Sequence, residues 1–182
     1  MIPTSEAYRG AQLAFENSNE LFKASALLAK NGMRGCAIAL CVLSFEEAAK
    51  SISLVYRSEG MHDTKFLTEI FRDHRIKHEL GTETSLFASG LILQAGFKIE
   101  GESVSIDVAN LMDRIETWKN EANNAKKRGF YVDYINGNWC APDQMSKFEL
   151  ETAVLACAIT IATAKCFFLD TAAGKDAARL QA

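Results

Sequence analysis

The sequence predicts an all-α bundle of about five helices, and three observations lead there. Apolar residues recur at three- and four-residue spacing through most of the 182 residues, the period of helices buried along one side. Only two prolines occur, Pro3 and Pro142, so long helices can run unbroken between them. Alternation of the kind half-buried strands show is confined to a short stretch around Phe97, Ile99 and Val104. The length fits a single domain over 1–182, with a core over about residues 5–170 and a flexible tail over 171–182.

Each element follows from local signals. Thr4 or Ser5 is placed to cap a first helix that runs to about Lys30, with Ala7, Ala11, Ala14, Leu21, Ala24 and Leu28 as its apolar stripe. Asn31-Gly32 stops it, the glycine suiting a left-handed cap. A second helix, about Met33 to Ser58, is apolar almost all round from Ala37 to Phe45, which predicts the central, most buried element. Asp63 can cap a third helix, in which Phe66, Leu67, Ile70, Phe71, His74 and His78 share helical spacing, and Gly81 is expected to kink or break it. Gly96 to Ser105 reads as a loop or short hairpin. Asp107 to about Lys127 forms a fourth helix on Val108, Leu111, Met112, Ile115 and Trp118. Arg128 to Pro142 is aromatic, turn-rich and not helical. Ser146-Lys147-Phe148-Glu149 has capping-box spacing and opens a last helix to about Asp170.

Composition narrows the function classes. A formal net charge of −3 argues against a surface that is wholly a nucleic-acid footprint and leaves room for a local basic cleft. Five cysteines without a CxxC indicate neither a zinc ribbon nor a disulfide framework. Cys36, Cys41, Cys157 and Cys166 lie in apolar helical runs and read as reduced, buried thiols. The N-terminus has no basic region followed by an apolar stretch, so no signal peptide is expected. The longest apolar run, near Cys36 to Phe45, is short of the ~20 residues that span a bilayer. A soluble, cytoplasmic protein without membrane contact is the expectation.

The densest chemistry lies in Phe71-Arg72-Asp73-His74-Arg75-Ile76-Lys77-His78, which holds two of the three histidines. Imidazole titrates near neutrality and guanidinium suits phosphate oxygens. RNA can be cleaved without metal when a base takes the 2′-hydroxyl proton and a cation stabilises the charged phosphorane, so Arg72 and His78 are candidates for those tasks. On an unbroken helix the two would sit about 120° apart, so they converge only if the helix breaks or a partner chain closes the site. The plainer account is a solvated basic helix end. His74 and His78, four apart, share a face and invite a metal, but no HExxH accompanies them. The lone Glu59-Gly60-Met61-His62 falls in a turn, so no metal or other cofactor is expected.

Two further segments carry charge. Glu46, Glu47 and Lys50 interrupt the most apolar helix, where charge is costly unless paired. Glu46 and Lys50 can form an ion pair along the helix, or a carboxylate can reach across the bundle to orient an arginine or histidine of the third helix. Lys126-Lys127-Arg128, followed by Phe130, Tyr131 and Tyr134, interleaves cations with aromatics as single-stranded nucleic-acid surfaces do. Aromatics plugging the core are the favoured alternative there.

Taken in order, Glu46-Glu47-x-x-Lys50, Phe71-Arg72-Asp73-His74-x-x-Lys77 and Arg128-Gly129-Phe130-Tyr131-Val132-Asp133 resemble the AbiV family of abortive-infection proteins, a branch of the HEPN superfamily, over roughly residues 5 to 170. The resemblance implies a helical bundle that commonly forms a homodimer and serves in antiphage defence or toxin–antitoxin biology, with a phage-protein activator or an antitoxin as partner. Many HEPN proteins are metal-independent ribonucleases with an arginine followed after four to six residues by a histidine. Carried over, Arg72 is the phosphate-binding arginine, Asp73 the polar follower and His78 the catalytic histidine, with Glu46 or Glu47 orienting the basic groups. The AbiV-like pattern centres instead on His74 and Lys77, which makes His74 the rival imidazole with Lys77 or Arg128 as its cation. Lys126, Lys127, Arg128 and Tyr131 would contact the RNA. Some members of the superfamily have lost nuclease activity and act only as binding modules.

Overall fold

The computed structural model describes residues 2–61, 64–94, 98–99, 102–103 and 108–171, and among these six α-helices and two short antiparallel strand pairs form the architecture. The helices are α1 (Thr4–Lys30), α2 (Arg34–Ser58), α3 (Thr64–Arg72), α4 (His74–Gln94), α5 (Val108–Phe130) and α6 (Lys147–Asp170). Strands β1 (Lys98–Ile99) and β2 (Glu102–Ser103) pair antiparallel, as do β3 (Asp133–Ile135) and β4 (Asn138–Cys140). The all-α bundle of the sequence reading is the observed fold.

Helix α2 lies at the centre, as its all-round apolarity requires. Its Ile38, Cys41, Val42 and Phe45 pack against Trp118, Ala122 and Ala125 of α5 and against Ala153, Ala156 and Cys157 of α6. Farther along, Leu54 and Val55 meet Ala7 and Ala11 of α1 and Leu67 and Ile70 of α3. The stripe expected on α1 holds at Ala7, Ala11 and Ala14, then continues through buried Ser18 and Ser25 rather than through leucines. Ser18 Oγ donates to the Ser44 carbonyl at 2.8 Å and Ser25 Oγ lies 2.9 Å from Cys41 Sγ, so small hydroxyls let α1 and α2 approach closely while satisfying each other.

Close backbone approach also fixes α5 on α2. A Cβ at Gly129 would lie 2.3 Å from the Gly35 carbonyl oxygen and 2.9 Å from Ala39 Cβ. Only glycine fits where the end of α5 crosses the start of α2, and this crossing carries Lys126, one turn earlier, over α2.

Several boundaries differ from expectation for physical reasons. The N-cap of α1 is Pro3, which makes no side-chain cap; its fixed φ of −62° suits a helix entry, so neither Thr4 nor Ser5 caps. The break in the third helix falls at Asp73 and not at Gly81. Asp73 Oδ1 accepts from the Arg75 backbone N–H at 2.8 Å and restarts the chain as α4. Helix α4 runs straight through Gly81, whose missing Cβ makes room for the Phe45 ring, 2.6 Å from where it would lie. Helix α5 extends to Phe130, so Arg128 to Phe130 are helical. The aromatics after it do not plug the core: Tyr131, Val132, Tyr134 and Trp139 are all more than half exposed. Cys41 and Cys157 are buried and free, but Cys166 is exposed.

The left-handed stop at Gly32 holds, with φ +79°. The capping box holds too: Ser146 Oγ accepts from Glu149 N at 3.1 Å and Glu149 Oε2 accepts from Ser146 N at 2.7 Å. The proposed Asp63 cap lies outside the described residues, as do most of Gly96 to Ser105 and residues 172–182. Among the described residues, the helix that is long and apolar enough to cross a membrane, by length and composition only, is Lys147–Phe168 and not the α2 run. Its Ala153, Ala156, Cys157, Thr160 and Ala164 face the bundle.

Candidate functional site

Glu46 is the hub of the charged cluster. It sits on the central helix, 3 % exposed, and its carboxylate gathers side chains from two other helices. From α4, His78 Nε2 lies 3.1 Å from Oε1, His74 Nδ1 lies 2.7 Å from Oε2 and Lys77 Nζ lies 3.9 Å from Oε2. From α5, Lys126 Nζ donates to Oε1 at 2.7 Å. His74 opens α4, and His78 follows one turn later on the same face. The break at Asp73 aims that face at Glu46.

Burial alone would raise the Glu46 pKa. Hydrogen bonds from His78 and Lys126, the Lys126 charge and the hydrogen bond from His74 outweigh it and bring the group from an ordinary 4.5 down to about 2. Glu46 is therefore an anion at neutral pH, and it accepts from both imidazoles. Burial is also the main influence on Lys77, lowering its pKa against the pull of Glu46.

An ionised Glu46 can only accept, so His74 donates Nδ1–H to Oε2 and, when the ring is neutral, its lone pair is on Nε2; half of its side chain is open to solvent. Lys126 Nζ is 3.2 Å from His74 Nδ1, but both are donors in this state, so Glu46 is what holds the pair together. His78 is different. Its side chain is 3 % exposed and its Nε2 is turned inward onto Glu46, while its ring packs against Phe45. It anchors the carboxylate and forms part of the cleft wall.

The exposed edge of His74 opens on a cleft of about 570 Å³ between the α3–α4 junction and α5. Arg72, the last residue of α3, lines it, as do Asp73 and Arg75. Lys119, Asn120, Asn123 and Asn124 of α5 form the far side. Among the described residues Arg72 has no ion-pair or hydrogen-bond partner, so its guanidinium is available to a ligand. Arg72 and His74 thus share one cleft even though they belong to different helices, because the chain turns between them.

Other residues singled out in the sequence fall elsewhere. Lys50 pairs with Glu47 rather than with Glu46 and lies 5.4 Å from the Phe71 ring centroid. Glu47 and Lys50 line a separate shallow groove. Lys127 and Arg128 face a cavity between α5 and α6, where Arg128 pairs with Glu149 at 3.0 Å. Tyr131 is exposed beside Phe130. Of the proposed RNA contacts, only Lys126 joins the cluster, and it does so as a partner of Glu46. The polar wall of α5 escaped the sequence reading, although Lys119-Asn120 and Asn123-Asn124 recur at helical spacing. Among the described residues no group of three histidine, cysteine or acidic side chains is arranged to hold a metal ion.

With the cluster in place, comparison with known families is decisive. The model of the AbiV family of HEPN proteins matches residues 6–163. The chain belongs to the AbiV family. It is thus an abortive-infection protein of HEPN type, and the match takes in every member of the Glu46 cluster and the cleft. No curated protein and no solved structure matches the chain.

Proposed function

We propose that this AbiV protein is a metal-independent endoribonuclease in which His74, held by Glu46, is the catalytic base. The observation that carries the reading is the hydrogen bond of 2.7 Å from His74 Nδ1 to a buried carboxylate, which in the neutral ring makes Nε2 the basic nitrogen of a residue that shares its cleft with Arg72. A base oriented by an anion on its far nitrogen is the arrangement that general-base catalysis by histidine uses.

The reaction follows from these groups. An RNA phosphate binds Arg72, which has no ion-pair partner among the described residues, whereas Lys119 on the opposite wall is paired with Glu116 at 3.7 Å. His74 Nε2 takes the proton of the adjacent 2′-hydroxyl, and that oxygen attacks phosphorus. Arg72 stabilises the charge that grows on the phosphorane oxygens. The P–O5′ bond breaks, leaving a 2′,3′-cyclic phosphate and a 5′-hydroxyl whose proton comes from solvent in the open cleft. Glu46 stabilises the imidazolium that forms on His74. His78 and Lys126 are positioning residues, since both act through Glu46. Between the two histidines, exposure favours His74, because His78 presents little surface to a substrate.

A second reading is supported by the β3–β4 hairpin. Its Tyr134 and Trp139, with Tyr131 and Val132 just before it, are large exposed apolar side chains, which suits a non-catalytic module that docks a phage or host protein. One experiment separates the two: growth arrest on expression, measured for His74→Ala and for Trp139→Ala. The ribonuclease reading expects arrest to vanish in the first and the docking reading expects it to vanish only in the second. We place the protein in the cytoplasm as a homodimer with the cleft near the seam, and sedimentation of the purified chain tests the dimer.

A further inference from the structure

We infer that the cavity between α5 and α6 is a base-recognition subsite that holds the nucleobase next to the scissile phosphate and prefers a base carrying an amino group. The inference rests on the ribonuclease reading for its place in the reaction, but not for the binding itself.

The cavity encloses about 530 Å³, room for a nucleobase and its sugar. It adjoins the cleft directly, since Asn124 lines both. A strand whose phosphate sits at Arg72 and His74 can therefore place a neighbouring base across the crest of α5. Phe148 stands at the mouth, 60 % exposed, with the Arg114 guanidinium 4.7 Å above its ring. Arg114 is held there by a 2.8 Å hydrogen bond to Thr152 Oγ1, so the aromatic face and its cation are fixed before any ligand arrives. Such a pair is a stacking platform for a planar base.

Hydrogen-bonding groups add selectivity. Asp113 and Glu121 line the cavity and have no ion-pair partner among the described residues, so they are acceptors for exocyclic amino groups. Trp118 and Arg114 also line the cavity, although the indole N–H and Arg114 Nε are themselves covered by protein. Charge supports a base over a polyanion. Arg128 is neutralised by Glu149, and the two free acids offset Arg114 and Lys127, so the lining has no net charge to draw in a phosphate chain.

Trp118 gives a direct readout. In a Trp139→Phe background it is the remaining tryptophan, so its fluorescence, with calorimetry alongside, reports occupancy by GMP, AMP, CMP or UMP added separately. The expected result is saturable binding of at least one amino-bearing nucleotide, tighter than UMP, and weakened roughly tenfold by Phe148→Ala, as loss of one stacking contact implies. Asp113→Asn with Glu121→Gln should erase the preference over UMP. Binding should persist in His74→Ala. No saturable binding by either method overturns the inference, as does binding lost in His74→Ala yet kept in Phe148→Ala, which would place the nucleotide in the cleft. Because binding is read without cleavage, a chain that binds GMP but cuts no RNA would sink the ribonuclease reading and leave the subsite standing.

Discussion

Replacing Glu46 by glutamine removes the anion onto which His74, His78 and Lys126 converge, and its cost can be worked from the structure. A carboxyl held from 4.5 to about 2 is stabilised in the folded state by ~3 kcal/mol at neutral pH, at 1.36 kcal/mol per tenfold in the ionisation constant. The folded pKa is depressed, so this stability is fully present above the unfolded value and is lost as pH falls toward the folded one. By pH 3 roughly 2 kcal/mol of it should be gone. Glutamine, which cannot ionise, also presents an N–H₂ to groups that are themselves donors. Urea unfolding at pH 7 and at pH 3 measures the effect. Glu46→Gln should be less stable than wild type by ~3 kcal/mol at pH 7, and the gap should shrink to ~1 kcal/mol at pH 3. A gap below 1 kcal/mol at pH 7, or one that does not change with pH, would refute the view of Glu46 as a buried anion held by its donors.

Other outcomes follow from the same geometry. His78→Ala, which strips a buried donor from Glu46, should cost about 1–3 kcal/mol in unfolding experiments, whereas His74→Ala, half exposed, should cost under about 1 kcal/mol. Gly129→Ala drives a Cβ against the Gly35 carbonyl and should lower stability by about 1–3 kcal/mol or more in thermal unfolding, above the loss for Gly81→Ala, which meets only the Phe45 ring. Ser146→Ala breaks the capping box of α6 and should cost about 1 kcal/mol in the same assay. Burial pushes the Cys41 thiol up to about 11, against the opposing Ser25 hydrogen bond, and raises Cys157 as well, so a thiol reagent should label Cys166 in the native protein and reach those two only on unfolding.

Much of this was legible in the sequence, because the helical period of apolar residues is a local signal. It indicates the all-α bundle and the central place of α2, while two other local signals, Asn31-Gly32 and the capping-box spacing at Ser146, mark a helix stop and a helix start. The reach of Glu46 across the bundle was one of two readings, since an apolar helix tolerates charge only when it is paired, and spacing alone cannot say with what. The break between Arg72 and His74 was misplaced at Gly81. A glycine can mark a bend or make room for a neighbouring ring, and only packing against Phe45 decides which. Asp73, which does break the helix, looked like a polar companion of Arg72. For the aromatics after α5 the reading as core is favoured over the exposed surface that the structure has, because an aromatic run reads as core wherever the neighbouring surface is unknown. Lys126 reads as one of three equivalent cations, yet the rotation of α5 on α2, set by Gly129, turns it alone toward Glu46.

The ribonuclease account rests on the His74 imidazole, and RNA cleavage in the presence of EDTA tests it most directly. Wild-type protein should cut RNA with chelator present and leave 2′,3′-cyclic phosphate ends. His74→Ala, folded to the same stability within about 1 kcal/mol, should lose activity by ~100-fold or more, the scale of general-base catalysis. Cleavage by His74→Ala at the wild-type rate, or cleavage that EDTA abolishes, would contradict the account.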